Sequence, residues 1–322
     1  MKLLFTADIH IKLGQKNVPT EWAKNRFQLF VDQFHEMQDK ADMIIIGGDI
    51  FDRLPNMDEV ELYFDLVASL QKPSVIYSGN HEMVKKDTTF LTYLKRATWR
   101  LNKLVTVCDD YRSDLLGGDI DIIPYNKLRD FQDNYSNLDF QGRVLVTHVR
   151  GDIPPHVKAE INLELLNRWQ VVLAGDLHSY ENSQRNILYP GSPYTTSFHR
   201  NRVETGCILL DLDNLEHEWL KFDLPQLIKR TVGVSDPKPQ TYPDHTIYEI
   251  EGNLHELSQL EDSDLIDKKV VKRAQDTQLI LDPNMTMAEE VREYLTYILE
   301  LDQTTINSVL EEFYNARDKL TD

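Results

Sequence analysis

Residues 43–52 read Met-Ile-Ile-Ile-Gly-Gly-Asp-Ile-Phe-Asp, an aliphatic run followed at once by two glycines and a carboxylate. The run has the length and the β-branched content of a buried strand, and the glycines mark a turn at its end. Side chains that follow neighbouring parallel strands converge at one edge of the sheet. This stretch therefore indicates an α/β sheet and predicts functional groups at the carboxyl ends of its strands.

The same arrangement recurs through the first two thirds of the chain. Further apolar runs of strand length occupy residues 3–5, 74–77, 120–123, 144–146 and 171–174. Segments 22–37 and 60–70 separate the early runs and carry apolar residues three and four positions apart, which is the helical spacing. Residues 207–210 and 218–220 look like a hairpin of the same sheet system. Alternating strands and helices predict a layered α/β domain.

The composition changes after about residue 224, where a proline-containing segment at 236–243 has the character of a linker. With 322 residues, the chain is long enough for one large core and a smaller one. We predict one domain over residues 1–224, a small α+β domain over 225–283, and carboxyl-terminal helices over 284–322.

The charge balance limits how the protein can bind nucleic acid. Thirty-five Lys and Arg residues against 53 Asp and Glu residues give a net charge of −18. This charge excludes electrostatic binding of a phosphate backbone by the protein surface as a whole. Local basic groups near the motifs are Lys12, Lys16, Lys85, Lys86, Lys95, Arg96, Arg100, His199, Arg200 and Arg202. Ordinary solvated surface is the alternative interpretation of each group.

The cysteine content and the hydropathy pattern bear on the compartment. Cys108 and Cys207 are too few for a disulfide framework, which suits a reducing cytosol. No run of 18 apolar residues is present, and a carboxylate at position 8 comes too early for a signal peptide. We therefore expect a soluble protein of the cytoplasm with no membrane partner.

Five short segments, nearly all placed just after a predicted strand, carry oxygen and imidazole donors. They are Asp8-Ile9-His10, Gly48-Asp49-Ile50-Phe51-Asp52, Gly79-Asn80-His81-Glu82, Thr147-His148 and Gly175-Asp176-Leu177-His178. One Asp or His after a strand is usually a turn-forming or structural residue. Five such segments without a thiolate favour a shared site for a hard or borderline divalent cation, Mn²⁺ or Mg²⁺ rather than structural zinc.

The order and content of these motifs resemble the calcineurin-like metallophosphoesterase superfamily, and within it the SbcD-type nuclease subunits. The resemblance covers roughly residues 1–200 and implies a layered β-sandwich core flanked by helices, with residues 225–283 as a capping domain. Two stretches narrow the resemblance to the nuclease branch of the superfamily. They are residues 48–52 and residues 189–198, which read Tyr-Pro-Gly-Ser-Pro-Tyr-Thr-Thr-Ser-Phe. The moderate length and the short acidic terminal helices look most like a bacteriophage version of this subunit.

The resemblance also implies roles for the motif residues and two Mn²⁺ ions as cofactors, with Mg²⁺ as an alternative. The first metal would be held by Asp8, His10, Asp49 and His178. The second metal would be held by Asp49, Asn80, His148 and Asp176. Asp49 would thus be shared, as one carboxylate has two oxygens and can bridge two cations. His81 lies beside a ligand and would be the catalytic acid that protonates the departing 3′ oxygen.

Two positions depart from the family pattern. The usual last motif is Gly-His-x-His, whereas position 176 is Asp, a shorter anionic oxygen donor that should favour Mn²⁺ or Mg²⁺ further over softer ions. Glu82 stands where the family often has Asp after the His. Glu82 either orients His81 or points to solvent, and the sequence leaves its role open.

The resemblance implies that the protein is a Mn²⁺-dependent DNA nuclease that acts in recombination, repair and replication. It would be a 3′–5′ exonuclease on duplex ends and an endonuclease on single strands and hairpins. A metal-dependent phosphomonoesterase or nucleotide phosphodiesterase is the alternative on the same chemistry, and an inactive scaffold is a third. The aromatic side chains of Tyr189, Tyr194 and Phe198 either stack on bases or, as is commoner, pack in the protein.

A partner is implied as well. The chain has no Gly-x-x-x-x-Gly-Lys-Ser/Thr motif, so any ATP hydrolysis would come from an SbcC-like ATPase of the ABC and SMC type. The resemblance places that partner on the carboxyl-terminal helices, of which the first begins with the Thr286-x-x-Glu289 capping box. We expect Ile306, Leu310 and Phe313 of the second helix to form an exposed docking patch, and their burial against the chain's own residues is the alternative. A homodimer is a further option, and the host cytoplasm is the expected location.

Overall fold

The computed structural model describes residues 1–134, 139–252, 257–258, 260, 263, 265–270, 285–299 and 301–318. The helices are α1 (Thr20–Met37), α2 (Met57–Ser69), α3 (Phe90–Leu101), α4 (Tyr125–Asn134), α5 (Met287–Glu293) and α6 (Gln303–Asp318). Short 3₁₀ turns lie at Gln38–Lys40, Leu163–Arg168 and Tyr180–Asn182, and a π-helical turn lies at Tyr294–Ile298.

Sixteen strands are present in the described part of the chain. They are β1 (Lys2–Thr6), β2 (Met43–Gly47), β3 (Ser74–Tyr77), β4 (Met83–Lys85), β5 (Thr88–Thr89), β6 (Val105–Cys108), β7 (Arg112–Leu115), β8 (Ile120–Ile123), β9 (Val144–His148), β10 (Val171–Gly175), β11 (Ile187–Leu188), β12 (Gly206–Asp211), β13 (His217–Lys221), β14 (Leu227–Val232), β15 (His245–Gly252) and β16 (Ile266–Val270). Every strand predicted from the apolar runs is among them.

Two sheets build the main body of the protein. The first has the order β13-β12-β1-β2-β3-β6, and its strands β1, β2, β3 and β6 run parallel. The second has the order β11-β10-β9-β8-β7, and its strands β8 to β11 run parallel. The predicted hairpin is confirmed, because β12 and β13 pair antiparallel and β12 joins the first sheet beside β1.

Alternate side chains of the first sheet pack into two different layers. Leu4 and Ile44 face α1, α2 and α3, whereas Leu3 and Phe5 face the second sheet and meet Val146 there. This alternation follows from the two-residue period of a strand. The other face of the second sheet packs against α4 and the loops after it. The predicted layered β-sandwich flanked by helices is confirmed.

The chain divides into two compact units. The first contains Met1–Lys229 and Gln240–Ile247, and the second contains Arg230–Pro239 and Tyr248–Asp322. In the second unit, β15 and β16 pair in parallel, with Tyr248 opposite Ile266. Within the described residues, no helix has both the length and the apolar character needed to cross a membrane.

The second unit also contains the two carboxyl-terminal helices, and the capping box at the start of α5 is confirmed. Ile306 and Leu310 of α6 are 1% and 3% exposed, because they pack with Leu295 of the π-helical turn. The expectation that these two residues form an exposed patch is therefore wrong. Phe313 is half-buried.

Candidate metal centre

The functional side chains follow the carboxyl ends of parallel strands from both sheets. In the first sheet, Asp8 comes two residues after β1, Asp49 two after β2 and Asn80 three after β3. In the second sheet, His148 is the last residue of β9 and Asp176 comes directly after β10. Because the two sheets pack face to face, their strand ends bring residues far apart in sequence to one place.

Glycines in the motifs allow the loops to approach each other closely. A Cβ on Gly79 would lie 2.1 Å from Oδ1 of Asp49, and a Cβ on Gly48 would lie 2.5 Å from Nδ1 of His148. A Cβ on Gly175 would likewise lie 2.5 Å from Nδ1 of His148. Real Cβ atoms do not tolerate such distances, so these glycines shape the space that the donor atoms surround.

Several donor residues adopt backbone conformations that residues other than glycine rarely adopt. The φ angles are 55° for Asp8, 48° for His10, 48° for Asp49 and 99° for Asp176. Each costs on the order of 1 kcal/mol or more. Hydrogen bonds between the loops hold the strained backbone in place: the Asp8 amide donates to the Gly48 carbonyl at 3.1 Å, and the His10 amide donates to the Asp49 carbonyl at 2.9 Å.

The first group of donors surrounds His10. Its Nε2 lies 3.1 Å from Nε2 of His178 and 3.7 Å from Oδ2 of Asp49. Donor atoms of Asp8, His10 and His178 all lie within 4.8 Å of one another. Two imidazole nitrogens this close need a proton or a cation between them. The structure thus brings together all four residues predicted for the first metal.

The second group surrounds His148, which is fully buried. Its Nδ1 donates to the Gly47 carbonyl at 3.1 Å, which leaves Nε2 free to face the site. Nε2 lies 3.0 Å from Oδ1 of Asn80, 3.4 Å from Oδ2 of Asp49 and 3.9 Å from Oδ1 of Asp176. The four residues predicted for the second metal therefore also converge, with Asp49 common to both groups.

Charge and burial fit these donors to a divalent cation. Burial opposes a charge on His148, but the carboxylates of Asp49 and Asp8 raise the pKa of its imidazole to about 10. Burial also raises the pKa of Asp8 well above its usual range. At His10, burial outweighs the nearby carboxylates and lowers the pKa to about 3, so the ring is neutral and its lone pair is available. Because His148 otherwise carries a proton on the nitrogen that faces the carboxylates, a cation there would have to replace that proton. The buried carboxylates, the imidazoles and the Asn80 amide then form a donor set that suits Mn²⁺ and Mg²⁺.

Asp176 has a partner that the sequence analysis missed. The Arg150 guanidinium donates from Nε and Nη2 to the two carboxylate oxygens of Asp176, at 2.9 and 3.1 Å. The amide of Asp176 donates to both oxygens of Asp8, at 3.0 and 3.1 Å. The signal in the sequence was the extra negative charge of Asp at this position together with an Arg two residues after His148.

His81 stands at the open side of the site. Its amide donates to Oδ1 of Asp49 at 3.0 Å, and its Nδ1 donates to the Asp52 carbonyl at 2.5 Å. Its Nε2 lies 3.8 Å from Oδ2 of Asp49. The His81 side chain is 36% exposed, whereas that of His10 is 4% exposed. This position suits proton transfer, although donor atoms of His10, Asp49 and His81 are also close enough to share a cation.

Glu82 connects two of the loops and does not point to solvent. It is 2% exposed, and its carboxylate accepts hydrogen bonds from the amides of Asp49, Phe51 and Gly79 at 3.0, 2.8 and 2.8 Å. Burial, with the nearby Asp49 carboxylate, raises the pKa of Glu82 to about 7. Glu82 therefore fixes the backbone that carries Asp49 rather than the ring of His81.

The stretch 189–198 supports the site from the side of α1. Arg26 of α1 donates to the carbonyl and the hydroxyl of Thr195, at 2.9 and 3.2 Å. The next residue, Thr196, places its hydroxyl 3.1 Å from Nδ1 of His178. This contact orients the ring so that Nε2 of His178 faces His10.

The tyrosines of the same stretch pack inside the protein. Tyr189 is fully buried, and Tyr194 is 4% exposed beneath the Arg26 guanidinium, which lies 4.5 Å from its ring. These two residues are not available to stack on bases. Among the basic candidates, Lys12 lies at the edge of the site, with Nζ 2.8 Å from Oδ2 of Asp52.

The chain is similar to several known proteins. Residues 1–189 match the family described as calcineurin-like phosphoesterase. The chain is 39% identical over 325 residues to the probable exonuclease subunit 1 of Escherichia phage T5, an alignment that covers 96% of this chain and 97% of that protein. A solved structure described as a novel archaeal phosphodiesterase is 12% identical with a TM-score of 0.39, and the match covers 69% of this chain and 100% of that chain. A protein of Thermus thermophilus is 12% identical with a TM-score of 0.43, over 68% of this chain and 98% of that chain.

Proposed function

The chain belongs to the calcineurin-like phosphoesterase family and is a metal-dependent phosphodiesterase, and we propose on this premise that it is the DNA-cleaving subunit of an ATPase–nuclease complex. The observation that carries the proposal is the position of Asp49. Its Oδ2 lies 3.4 to 3.8 Å from the imidazole nitrogens of His148, His10 and His81. One buried carboxylate thus faces both donor groups, as two-cation phosphodiester hydrolysis requires.

The residues that would hold the cations follow from the two donor groups. The first group consists of Asp8, His10, Asp49 and His178. The second group consists of Asp49, Asn80, His148 and Asp176. When bound, such cations supply a water of lowered pKa and neutralise charge on the phosphate. We propose Mn²⁺ for both positions, with Mg²⁺ as the alternative, because carboxylate and amide oxygens dominate the donors.

His81 is our candidate for the group that protonates the departing 3′ oxygen. The Asp52 carbonyl accepts the hydrogen on Nδ1, so the ring is held with Nε2 turned toward the open side of the site. A phosphodiester seated between the two donor groups would present its leaving oxygen to that face. The same arrangement lets a protonated His81 hydrogen-bond the phosphate as negative charge builds up on it.

The test of the function compares substrates. With Mn²⁺, we expect the full chain to degrade end-labelled duplex DNA from 3′ ends and to open DNA hairpins, more than about 10²-fold faster than it hydrolyses mononucleotides or phosphomonoesters. A co-expressed SbcC-like ATPase should increase the rate on duplex ends. Equal or greater activity on nucleotides would favour the alternative, a nucleotide phosphodiesterase or phosphomonoesterase.

We propose one role for each of three segments of the chain. Residues 1–224 carry out catalysis, residues 225–283 are the capping domain, and residues 284–322 bind the ATPase. The relative in phage T5 is named as an exonuclease subunit, which favours a partner protein for this chain too. With Ile306 and Leu310 buried, docking must use the outward-facing aromatic and aliphatic side chains of the helices. These are Met287, Tyr294, Tyr297, Val309 and Tyr314, which are 67%, 41%, 50%, 39% and 47% exposed.

We predict that replacing Tyr297 and Tyr314 together by Ser reduces co-purification with the ATPase by about 10-fold or more, because exposed aromatic side chains contribute most to such interfaces. The melting temperature and the cleavage of simple DNA substrates should stay close to those of the wild type, since about half of each side chain is already exposed. Tyr93→Ser is the matched control, because Tyr93 is 63% exposed on α3. Normal complex formation by the double variant would contradict docking through these helices.

A further inference from the structure

Arg150 approaches the second donor group from outside. Its side chain is 43% exposed, while that of Asp176 is 7% exposed, so the guanidinium reaches from the surface to a buried carboxylate. The contact is a two-pronged pair, Nε to Oδ2 at 2.9 Å and Nη2 to Oδ1 at 3.1 Å. Such a planar fork fixes both the position and the rotation of a carboxylate.

The surroundings of Asp176 are strongly anionic. The Asp176 amide donates to the Asp8 carboxylate. Nε2 of His148 lies 3.9 Å from Oδ1 of Asp176 and 3.4 Å from Oδ2 of Asp49. Three carboxylates therefore lie around one imidazole. A neutral ligand in place of Asp176 would leave one negative charge fewer, and Arg150 supplies the positive charge that restores this balance.

The fork does not fill the coordination capacity of Asp176. A carboxylate has about four lone-pair sites, two on each oxygen, and Arg150 takes one on each oxygen. Oδ1, which keeps one lone pair, lies 3.9 Å from Nε2 of His148. Arg150 can thus remain bound to Asp176 while Asp176 contributes to a cation, but it lowers the negative charge that the cation meets.

We propose that Arg150 is a positioning residue that holds Asp176 and sets the affinity of the second cation position. With Arg150 present, a cation binds there more weakly than it would bind to three carboxylates without a compensating positive charge. The inference rests on the proposed two-cation function. In the absence of a cation, Arg150 also limits repulsion among Asp8, Asp49 and Asp176 and so stabilises the folded site. Arg150 acts through Asp176, and among the described residues its side chain makes no hydrogen bond or ion pair with the first donor group.

The experiment is a Mn²⁺ titration of the metal-stripped full chain by calorimetry, without DNA. Arg150→Gln should bind Mn²⁺ about tenfold more tightly in its weaker step, because a unit charge a few ångströms away at an effective dielectric constant of about 20 is worth this much after partial screening by solvent. The metal-free variant should melt at a lower temperature than the wild type. Arg150→Lys keeps the charge, so its weaker step should stay within about twofold of the wild type.

A double-mutant cycle separates this role from a merely structural one. Asn at position 176 removes the carboxylate that anchors the guanidinium, so the 43% exposed Arg150 side chain is free to move into solvent, where its charge is screened. In the Asp176→Asn background, Arg150→Gln should therefore change the Mn²⁺ affinity by less than about twofold. Arg143→Gln is the matched control. Arg143 donates from Nε and Nη2 to the two carboxylate oxygens of Asp119, at 2.8 and 2.6 Å, and its side chain is 39% exposed. This control should reduce thermal stability and leave Mn²⁺ binding unchanged.

Weaker or unchanged Mn²⁺ binding in Arg150→Gln would overturn the proposal, as would an equal gain in Arg143→Gln or in the Asp176→Asn background. If Arg150→Gln does not fold, weaker binding by Arg150→Lys would equally overturn it. Because the titration contains no DNA, these outcomes are independent of whether the chain cleaves DNA. A chain that binds Mn²⁺ as expected but fails to cleave DNA would contradict the proposed function alone.

Discussion

Replacing Asp49 with Ala is expected to abolish DNA cleavage, by more than about 10³-fold, and to remove both cations from the protein. Asp49 belongs to both donor groups, since its Oδ2 faces His10 and His148. No other carboxylate among the described residues lies within 4 Å of both rings. The measurements are the metal content after dialysis against Mn²⁺ and the rate on labelled duplex DNA.

Asp49→Asn separates charge from shape. Asparagine keeps an oxygen that can accept from the His81 amide, as Oδ1 of Asp49 does at 3.0 Å, so the loop should stay folded. It removes the charge that two cations would share, and we expect the weaker cation to be lost first. Asp119→Ala changes a carboxylate that pairs with Arg143 and should retain full metal content. Two cations retained by Asp49→Ala would contradict a shared carboxylate.

The central sheet strands were predictable because each is an apolar run that is almost entirely buried, as residues 43–46 are. The convergence of the motifs was predictable as well, since parallel strands bring their carboxyl ends to one edge. Helix α4 was not predicted. Only Asn126, Leu128 and Phe131 of its ten residues are buried, so the apolar pattern is too weak to indicate a helix.

The supporting contacts of the site could not be read from the sequence. Glu82 accepts from three backbone amides, and backbone amides carry no sequence signal. Arg26 is 169 residues from Thr195, and only the packing of α1 against the stretch 189–198 brings them together. The burial of Ile306 depends in the same way on which surface α6 packs against. The sequence shows which side chains can do chemistry, whereas their partners depend on tertiary packing.

His81→Ala is expected to slow DNA cleavage by roughly 10²-fold or more while Mn²⁺ binding stays near that of the wild type, as for the loss of a general acid. The reason is its position: the His81 side chain is 36% exposed and its Nδ1 is occupied by the Asp52 carbonyl. The matched control is His10→Ala, which removes a ring that is 4% exposed and faces His178 at 3.1 Å. This control should lose metal as well as activity. Equal loss of metal in both variants would make His81 a ligand instead.

A change of leaving group tests the same role of His81 without relying on metal content. A DNA 3′ oxygen leaves as a strongly basic alkoxide and needs a proton, whereas a p-nitrophenolate leaves without one. The rate loss in His81→Ala should therefore shrink to less than about 10-fold on a p-nitrophenyl phosphodiester. A residue that only stabilised charge on the phosphate would cost about the same on both substrates, because that charge builds up in either case. Equal losses would therefore assign His81 to the phosphate oxygens and leave the proton donor to another group, such as water.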